Sequence, residues 1–279
     1  MQRSFAQIDV FTQQPYLGNP VAVVLDGAGL SDAQMQRFAA WTHLSETTFV
    51  LPPTLPQADY ALRIFTPEGE LPFAGHPTLG SCHAWLQAGG KPRAADTVVQ
   101  QCAIGLVTLR RQGGRLAFAA PAMQRSAIPP TLLAQIARAL GLQAPQIQAA
   151  QLLDNGPLWY GLLLDSPQTV LALTPDHLAL KALGTMVGVC YLDPTDTASS
   201  MQVRAFAAPA GIAEDPVTGS LNAALAQWLM ADGLAPARYV ACQGVALGRD
   251  GRVHIERDAS GQVWVGGDSV SCIQGTVSL

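Results

Sequence analysis

The sequence is poor in charge. Only 13% of its 279 residues are Asp, Glu, Lys or Arg, whereas 49% are hydrophobic. This composition excludes an intrinsically disordered chain and suffices for a large buried core, in one big domain or two smaller ones. The sixteen Lys and Arg residues are scattered singly and the formal net charge is -4. No basic stripe is available for a phosphate backbone to follow, so we expect no nucleic-acid partner.

Long hydrophobic runs are also lacking. The N-terminal stretch MQRSFAQIDVF has no apolar run of about 7 to 15 residues, as a signal peptide would, and no window approaches the roughly 20 apolar residues that span a bilayer. We therefore expect a soluble, cytoplasmic protein without a membrane partner.

The cysteines form no pair of the C-x-x-C type. They are odd in number and widely spaced, which argues against a disulfide framework and against a zinc site. We expect reduced thiols, most of them buried, and no metal; the five are Cys82, Cys102, Cys190, Cys242 and Cys272.

Strand-like runs, rich in β-branched and aromatic residues, outnumber helical stretches by about two to one. Examples are AQIDVF, VAVVL, TTFVL, YALRIF, LWYGLLL and MQVRAF. Capping chemistry predicts helices that begin at Ser31, Thr131 and Thr174, and a last helix that ends at Gly233. The pattern indicates an α+β protein rather than an alternating β-α-β one.

An internal repeat divides the chain. RIFTP followed by PFAGHPTLGSCHAWL in the first half resembles RAFAAP followed by IAEDPVTGSLNAALAQWL in the second half. Pro77 matches Pro216 at an offset of 216 minus 77, or 139 residues, which is half the chain. We infer two structurally similar halves, each with a strand-rich layer around one long apolar helix.

The repeat places polar residues at two predicted helix starts, with Pro77 and Pro216 as first helical residues. Such starts expose unpaired N–H groups and the positive end of the helix dipole, and so bind anions. If the halves face one another, both starts can hold a carboxylate-bearing substrate in one cleft. The residues there are Gly75 and His76 in one half, and Glu214 and Asp215 in the other. His76 and Asp215 are candidate functional residues, whereas Glu214 is more simply an acidic first-turn residue.

A further carboxylate, Glu46, lies in LSETTFV between a predicted helix and a strand. Burial at such a junction would raise the pKa of the carboxyl group and suit it to proton transfer. From the pattern alone, Glu46 is more simply an ordinary solvated residue.

The motifs IDVFT, GNPVAVV, LSETTFV, RIFTPEGELPFAGHPTLG and EDPVTGS occur in an order that resembles the PhzF family of phenazine-biosynthesis isomerases, from Ile8 to about Gly267. The resemblance implies a diaminopimelate-epimerase-like fold: two pseudo-symmetric domains, each a strand-rich, barrel-like sheet around a central helix, with the active site between them. We predict one domain over residues 1–122, with 268–279 as a candidate completion, and a second over 123–267.

The resemblance also implies chemistry. It makes Glu46 the acid/base of a cofactor-free proton shift like that on trans-2,3-dihydro-3-hydroxyanthranilate, and so reverses the interpretation from the pattern alone. It implies no metal or organic cofactor, a small carboxylate substrate and a homodimer. Motif matching assigns catalysis to Glu46, His76 and Asp215, and substrate binding to Asn19, Ser45, Gly75, Gly219 and Ser220.

Two other functions stay open. A two-thiol racemase or epimerase would need a cysteine at each helix start, but Cys82 lies beyond the first turn of its helix, which disfavours this reaction. A non-catalytic small-molecule-binding relative is the other alternative, because a fold does not define a function. Neither the physiological substrate nor the oligomeric state follows from the sequence.

Overall fold

The structure is a computed structural model, and it describes residues 1–193, 195 and 201–279. Its elements in the first part of the chain are β1 (Gln2–Val10), β2 (Asn19–Val24), α1 (Asp32–Thr42), β3 (Thr47–Leu51), β4 (Tyr60–Phe65), β5 (Glu70–Leu71), α2 (Gly75–Gln87), β6 (Thr97–Cys102), β7 (Gly105–Gln112) and β8 (Arg115–Ala119). They are followed by β9 (Gln124–Ser126), α3 (Pro130–Leu140), β10 (Ile147–Asp154), β11 (Leu158–Leu164), α4 (Pro167–Ala172), α5 (His177–Leu183), β12 (Val187–Leu192), β13 (Met201–Ala207), β14 (Ile212–Asp215), α6 (Gly219–Ala231), β15 (Arg238–Gln243), β16 (Gly251–Arg257), β17 (Val263–Gly267) and β18 (Ser269–Ser278).

The chain divides into two compact units. The first unit consists of Met1–Ala119 and Gly266–Leu279, and the second unit of Ala120–Val265. In the described ranges, no helix has the length and apolar character needed to cross a membrane.

The first unit is a mixed sheet with two helices, α1 and α2, packed against it. β1 pairs antiparallel with β2 and with β18, and β2 runs parallel to β3. β3 and β4 are antiparallel, and β4 also pairs antiparallel with β5 and parallel with β6. β6, β7 and β8 continue as an antiparallel series. The last strand of the chain thus completes the sheet that the first strand begins.

The second unit repeats this order. β10 pairs antiparallel with β11 and with β9, and β11 runs parallel to β12. β12 and β13 are antiparallel, and β13 also pairs antiparallel with β14 and parallel with β15. β15 and β16 are antiparallel. Strands β10 to β16 therefore correspond to β1 to β7, which confirms the α+β class and the repeat of topology that the sequence predicts.

Each unit is built around an apolar helix. α2 packs against β1, β2, β3, β4, β8 and β18, while α6 packs against β10, β11 and β16. Gly80 shows how closely α2 lies on its sheet, because a Cβ there would stand 2.4 Å from Val21 Cγ1 and 2.9 Å from Val10 Cγ2. Trp228, 1% exposed, anchors α6 in the second core. Burying a side chain of this size stabilises the fold by roughly 2 to 3 kcal/mol.

An arginine–glutamate pair occurs at the same place in both units. Arg63 on β4 forms a two-pronged ion pair with Glu70 on β5, at 2.7 and 2.6 Å. Arg204 on β13 does the same with Glu214 on β14, at 3.0 and 2.8 Å. Each guanidinium also lies 5.0 Å from the ring of the phenylalanine two residues later, Phe65 or Phe206. The repeat therefore extends to a shared structural interaction.

The predicted helix starts need correction. α2 begins at Gly75, so Pro77 is its third residue rather than its first. Pro216 lies outside α6, which begins at Gly219. Asp215 consequently ends a strand, and Glu214 is a strand residue paired with Arg204 instead of an acidic first-turn residue.

Two predicted caps are also wrong. α3 begins at Pro130, one residue before Thr131, and α5 is capped by Asp176 rather than Thr174, through a 2.9 Å bond from Ala179 N. Ser31 is confirmed as the cap of α1, in a capping box with Gln34.

The two arginine–glutamate pairs predict unequal stability effects. Glu214→Ala should cost about 3 to 5 kcal/mol, because Arg204 is 5% exposed and would be left as a buried charge without its partner. Glu70→Ala should cost about 1 kcal/mol or less, because the side chains of Arg63 and Glu70 are 28% and 37% exposed. Denaturant unfolding of both variants measures this difference. Equal losses would contradict the interpretation of the second pair as a buried one.

Candidate functional site

Glu46 lies at the end of a short connector between α1 and β3. α1 is followed by its C-cap residue His43, which adopts a left-handed conformation with φ +54°. Thr42 and Thr47 close the connector with a 2.8 Å hydrogen bond between their hydroxyl groups. The Glu46 carbonyl accepts a 3.5 Å bond from Ala22 N of β2. The Glu46 carbonyl is therefore bonded to β2, and the connector is closed by the hydroxyl pair.

The Glu46 carboxyl faces the first turn of α2. Its Oε2 lies 3.4 Å from Nε2 of His76, and the two side chains are 15% and 6% exposed. His76 is the second residue of α2, so helix geometry determines where its ring lies. Within the described residues, Oε2 of Glu46 forms no hydrogen bond. The structure thus brings together two of the residues that the sequence singles out.

Burial raises the pKa of Glu46 from 4.5 to about 7, and a hydrogen bond with the Ser45 side chain opposes this rise. Burial dominates because a carboxylate loses its hydration in an apolar surrounding. A carboxyl group with this pKa is present in both protonation states near neutral pH, which is the condition for proton transfer in either direction. The interpretation of Glu46 as a solvated residue is wrong.

Gly75 allows α2 to begin at this place. A Cβ on Gly75 would lie 2.5 Å from Cζ of Phe118, a ring that is 1% exposed on β8. No side chain caps the helix at Ala74, and the first helical N–H groups belong to Gly75 and His76. The start of α2 therefore presents backbone donors and the positive end of its dipole next to Glu46.

Asn19 begins β2 and is 1% exposed. The loop before it is held by Asp9, whose Oδ2 accepts a 2.9 Å bond from Gly18 N. Gly18 is required there, because a Cβ would stand 2.1 Å from the Val10 carbonyl oxygen. Asn19 is thus a buried strand residue that directly follows a fixed loop of the first unit.

The second unit holds Asp215 in a polar network. Thr218 Oγ1 donates to Asp215 Oδ2 at 2.6 Å, and Gln243 Nε2 donates to the Asp215 carbonyl at 3.0 Å and to Thr218 Oγ1 at 2.9 Å. Gln243 Oε1 in turn accepts from Thr218 N and from Nδ2 of Asn222. Since Thr218 accepts from Gln243, its own proton goes to Asp215. The network thereby makes Asp215 an acceptor.

Gly219 and Ser220 are the first two residues of α6. Ser220 Oγ accepts a 3.1 Å bond from Trp159 Nε1, and the Ser220 carbonyl accepts a 2.8 Å bond from Asn155 Nδ2. Both partners come from the β10–β11 hairpin. This hairpin therefore holds the start of α6.

Sequence reasoning assigned no role to Gln243, Trp159 or Asn155. An isolated Gln, Trp or Asn has no motif of its own, and only the fold brings each one to the start of α6. Among the described residues, no cluster of three or more His, Cys, Asp and Glu side chains could hold a metal ion.

The raised pKa of Glu46 predicts a pH-dependent stability difference. Between about pH 4.5 and pH 7 the unfolded chain loses the Glu46 proton while the folded chain keeps it, so wild-type stability falls as pH rises through that range. Glu46→Gln removes this loss. The free energy of unfolding of the variant minus that of wild type should therefore be higher above pH 7 than at pH 4, by about 3 kcal/mol.

Denaturant unfolding from pH 4 to pH 8 measures this difference, with Glu68→Gln as the control because Glu68 is exposed. The control should differ from wild type by a constant amount. A constant difference for Glu46→Gln as well would contradict the raised pKa.

Comparison with known proteins identifies the family. Residues 8–275 match the family model described as PhzC-PhzF, phenazine biosynthesis-like protein. "Antisense-enhancing sequence 1" of Schizosaccharomyces pombe is 36% identical, over 98% of each chain. The trans-2,3-dihydro-3-hydroxyanthranilate isomerase of Pseudomonas aeruginosa is 33% identical, over 99% of each chain.

Solved structures have the same fold. A PhzF-family phenazine biosynthesis protein of Bacillus anthracis superposes with a TM-score of 0.87 at 22% identity, over 100% of both chains. A probable proline racemase of Agrobacterium radiobacter superposes with a TM-score of 0.65 at 14% identity, over 99% of this chain and 93% of the other. These neighbours confirm the epimerase-like fold, and the relatives confirm an isomerase as the class of enzyme. The chain belongs to the PhzC-PhzF family of phenazine biosynthesis-like proteins.

Proposed function

We propose that the protein is an isomerase that moves a proton on a small carboxylic acid, with Glu46 as the acid/base. One observation carries the proposal: a buried carboxyl group whose pKa is raised to about 7 lies 3.4 Å from His76, at the start of α2. Burial adapts the carboxyl group to proton transfer at neutral pH, and the helix start supplies donors to an anion.

The proposed reaction consists of two proton transfers. The ionised Glu46 removes a proton from a carbon atom of the substrate and becomes protonated. It then returns the proton to a different carbon, which shifts the double bond and leaves the enzyme unchanged. His76 hydrogen-bonds to the substrate or steadies the carboxyl group between the two steps. The reaction needs no metal or organic cofactor.

The remaining residues serve binding in this proposal. The N–H groups at the start of α2, at Gly75 and His76, stabilise negative charge that develops on the substrate. Ser45 orients Glu46 through its hydrogen bond. Asn19, Asp215, Gly219 and Ser220 are assigned to substrate binding or to assistance of proton transfer by motif resemblance.

The names of relatives support a choice of substrate class. Several full-length relatives are named trans-2,3-dihydro-3-hydroxyanthranilate isomerase. We propose this compound, or a small carboxylic acid of similar shape, as the first substrate to test.

A two-thiol racemase is the alternative to which the proline racemase neighbour points. Its chemistry needs thiolates at the reacting carbon. Burial instead raises the pKa of Cys82 and of Cys190 to about 12, and both side chains are 0% exposed. Neither can supply a thiolate at neutral pH. A non-catalytic binding protein is the other alternative, and it predicts ligand binding without turnover.

Glu46→Gln should abolish isomerisation while leaving the fold intact. In deuterated water, the wild type should isomerise trans-2,3-dihydro-3-hydroxyanthranilate, and the variant should lose activity by about 10² to 10⁴-fold, since Gln cannot exchange the proton. Product formation is followed by absorbance and deuterium content by NMR. Glu68→Gln, at an exposed glutamate, should retain wild-type activity. Equal rates in wild type and Glu46→Gln would disprove the role of Glu46.

The pH profile of the wild type gives a second test. Because the first step needs ionised Glu46, kcat/KM should rise tenfold per pH unit below a pKa of about 7 and level off above it. Steady-state rates from pH 5 to pH 8.5 measure this limb. A profile that levels off near pH 4.5 would show that the acting carboxyl group is an ordinary solvated one.

A further inference from the structure

The Ser220 hydroxyl has a partner that can only donate. Trp159 Nε1 lies 3.1 Å from Ser220 Oγ. An indole N–H has no acceptor atom, so Ser220 must accept in this bond and its own proton is not used there. In the part of the chain that the structure describes, this hydroxyl forms no second hydrogen bond. Its proton is therefore available to a ligand.

The same hairpin also fixes the backbone of Ser220. Asn155, in the turn between β10 and β11, donates from Nδ2 to the Ser220 carbonyl at 2.8 Å. Asn155 and Trp159 are 8% and 3% exposed, so both hydrogen bonds are shielded from water. Ser220 itself is half-buried. The hairpin thus determines both the position of Ser220 and the direction in which its hydroxyl can donate.

The repeat provides an internal contrast. Ser81 corresponds to Ser220, but it is 0% exposed and lies 2.8 Å from Thr48 Oγ1. Thr48 donates its own proton to the Ala22 carbonyl at 3.2 Å, so Ser81 must donate to Thr48. The hydroxyl proton of Ser81 is donated inside the first unit, whereas that of Ser220 is donated to none of the residues described in the second unit.

The surroundings of Ser220 favour an anion as the acceptor. Ser220 is the second residue of the thirteen-residue helix α6, and no side chain caps that helix at Thr218. The positive end of the helix dipole therefore lies at the hydroxyl. A hydrogen bond to a charged acceptor is about twice as strong as one to a neutral acceptor.

We propose that Trp159 is a positioning residue that commits the Ser220 hydroxyl to donate to the carboxylate of the substrate. The proposal rests on the proposed function, which assigns Ser220 to substrate binding. It adds Trp159 as the residue that makes the hydroxyl accept from the indole and donate to the ligand. Without the indole N–H, the hydroxyl is free to rotate and to accept from other donors, which weakens its bond to a carboxylate.

The test is a double-mutant cycle with a matched pair of ligands. Calorimetry compares anthranilate, which carries a carboxylate, with anthranilamide, which does not. The proteins are wild type, Trp159→Phe, Ser220→Ala and the double variant. Ser220→Ala should weaken anthranilate binding about tenfold, and Trp159→Phe should weaken it several-fold. In the Ser220→Ala background, Trp159→Phe should have no further effect, and neither change should affect the weaker binding of anthranilamide.

Three results would overturn the proposal. The first is that Trp159→Phe weakens anthranilate binding equally in the wild-type and Ser220→Ala backgrounds. The second is that wild type binds anthranilate no more tightly than anthranilamide. The third is that neither ligand binds. Circular dichroism monitors folding of each variant. If Trp159→Phe does not fold, Ser220→Ala still tests the premise of the proposal, since a retained preference for anthranilate contradicts a carboxylate at Ser220. Calorimetry measures binding and needs no turnover. This test therefore stays valid even if Glu46→Gln keeps wild-type activity and the proposed function fails.

Discussion

The burial of one carboxyl group is the constraint on which the account of the site depends. The side chain of Glu46 is 15% exposed, and the loss of hydration on burial raises its pKa to about 7. Three elements meet there: the end of α1, the first residue of β3 and the first turn of α2. Local features help to position these elements. His43 adopts a left-handed conformation after α1, and Gly75 lets the start of α2 approach Phe118 closely. The proposed proton-transfer group therefore carries a stability cost, because its ionised form is disfavoured by burial.

The two units share their strand order and differ in the polar residues beside their central helices. Both have the same strand order and an arginine–glutamate pair beside a phenylalanine. The first unit places Glu46 and His76 together, whereas the second surrounds Asp215 with Thr218 and Gln243. Ser81 is buried and donates inside its unit, while Ser220 accepts from Trp159 and donates to none of the described residues. Divergence between the halves has therefore affected the polar groups around the central helices more than the topology.

Much of this fold can be predicted from residue patterns. Runs such as VAVVL and LWYGLLL form strands because β-branched and aromatic side chains pack on both faces of a buried sheet. β10 and β18 escaped prediction because IQAAQLLD and SVSCIQGTVS are rich in Gln, Ala and Ser, and they form strands through pairing with partners distant in sequence. The start of α6 was misplaced because Glu214 is held in a strand by Arg204, and proline statistics do not contain this interaction.

The site was predictable only in part. A motif resemblance selects Glu46, Ser45, Gly75 and His76, and the structure gathers Glu46 and His76 in one place. The raised pKa of Glu46 depends on side chains from several elements, so no local sequence pattern contains it. The same holds for Gln243 and Trp159, whose hydrogen bonds to the start of α6 form across long stretches of chain.

The most direct test of the central claim is the pKa of Glu46 itself. Carboxyl-carbon NMR of protein labelled in glutamate, with Glu46→Gln to assign the resonance, follows this group from pH 3 to pH 9. The account predicts a midpoint near pH 7, well above the ordinary value of 4.5. A midpoint near 4.5 would show that the carboxyl group is solvated, and would contradict the proposed basis of catalysis.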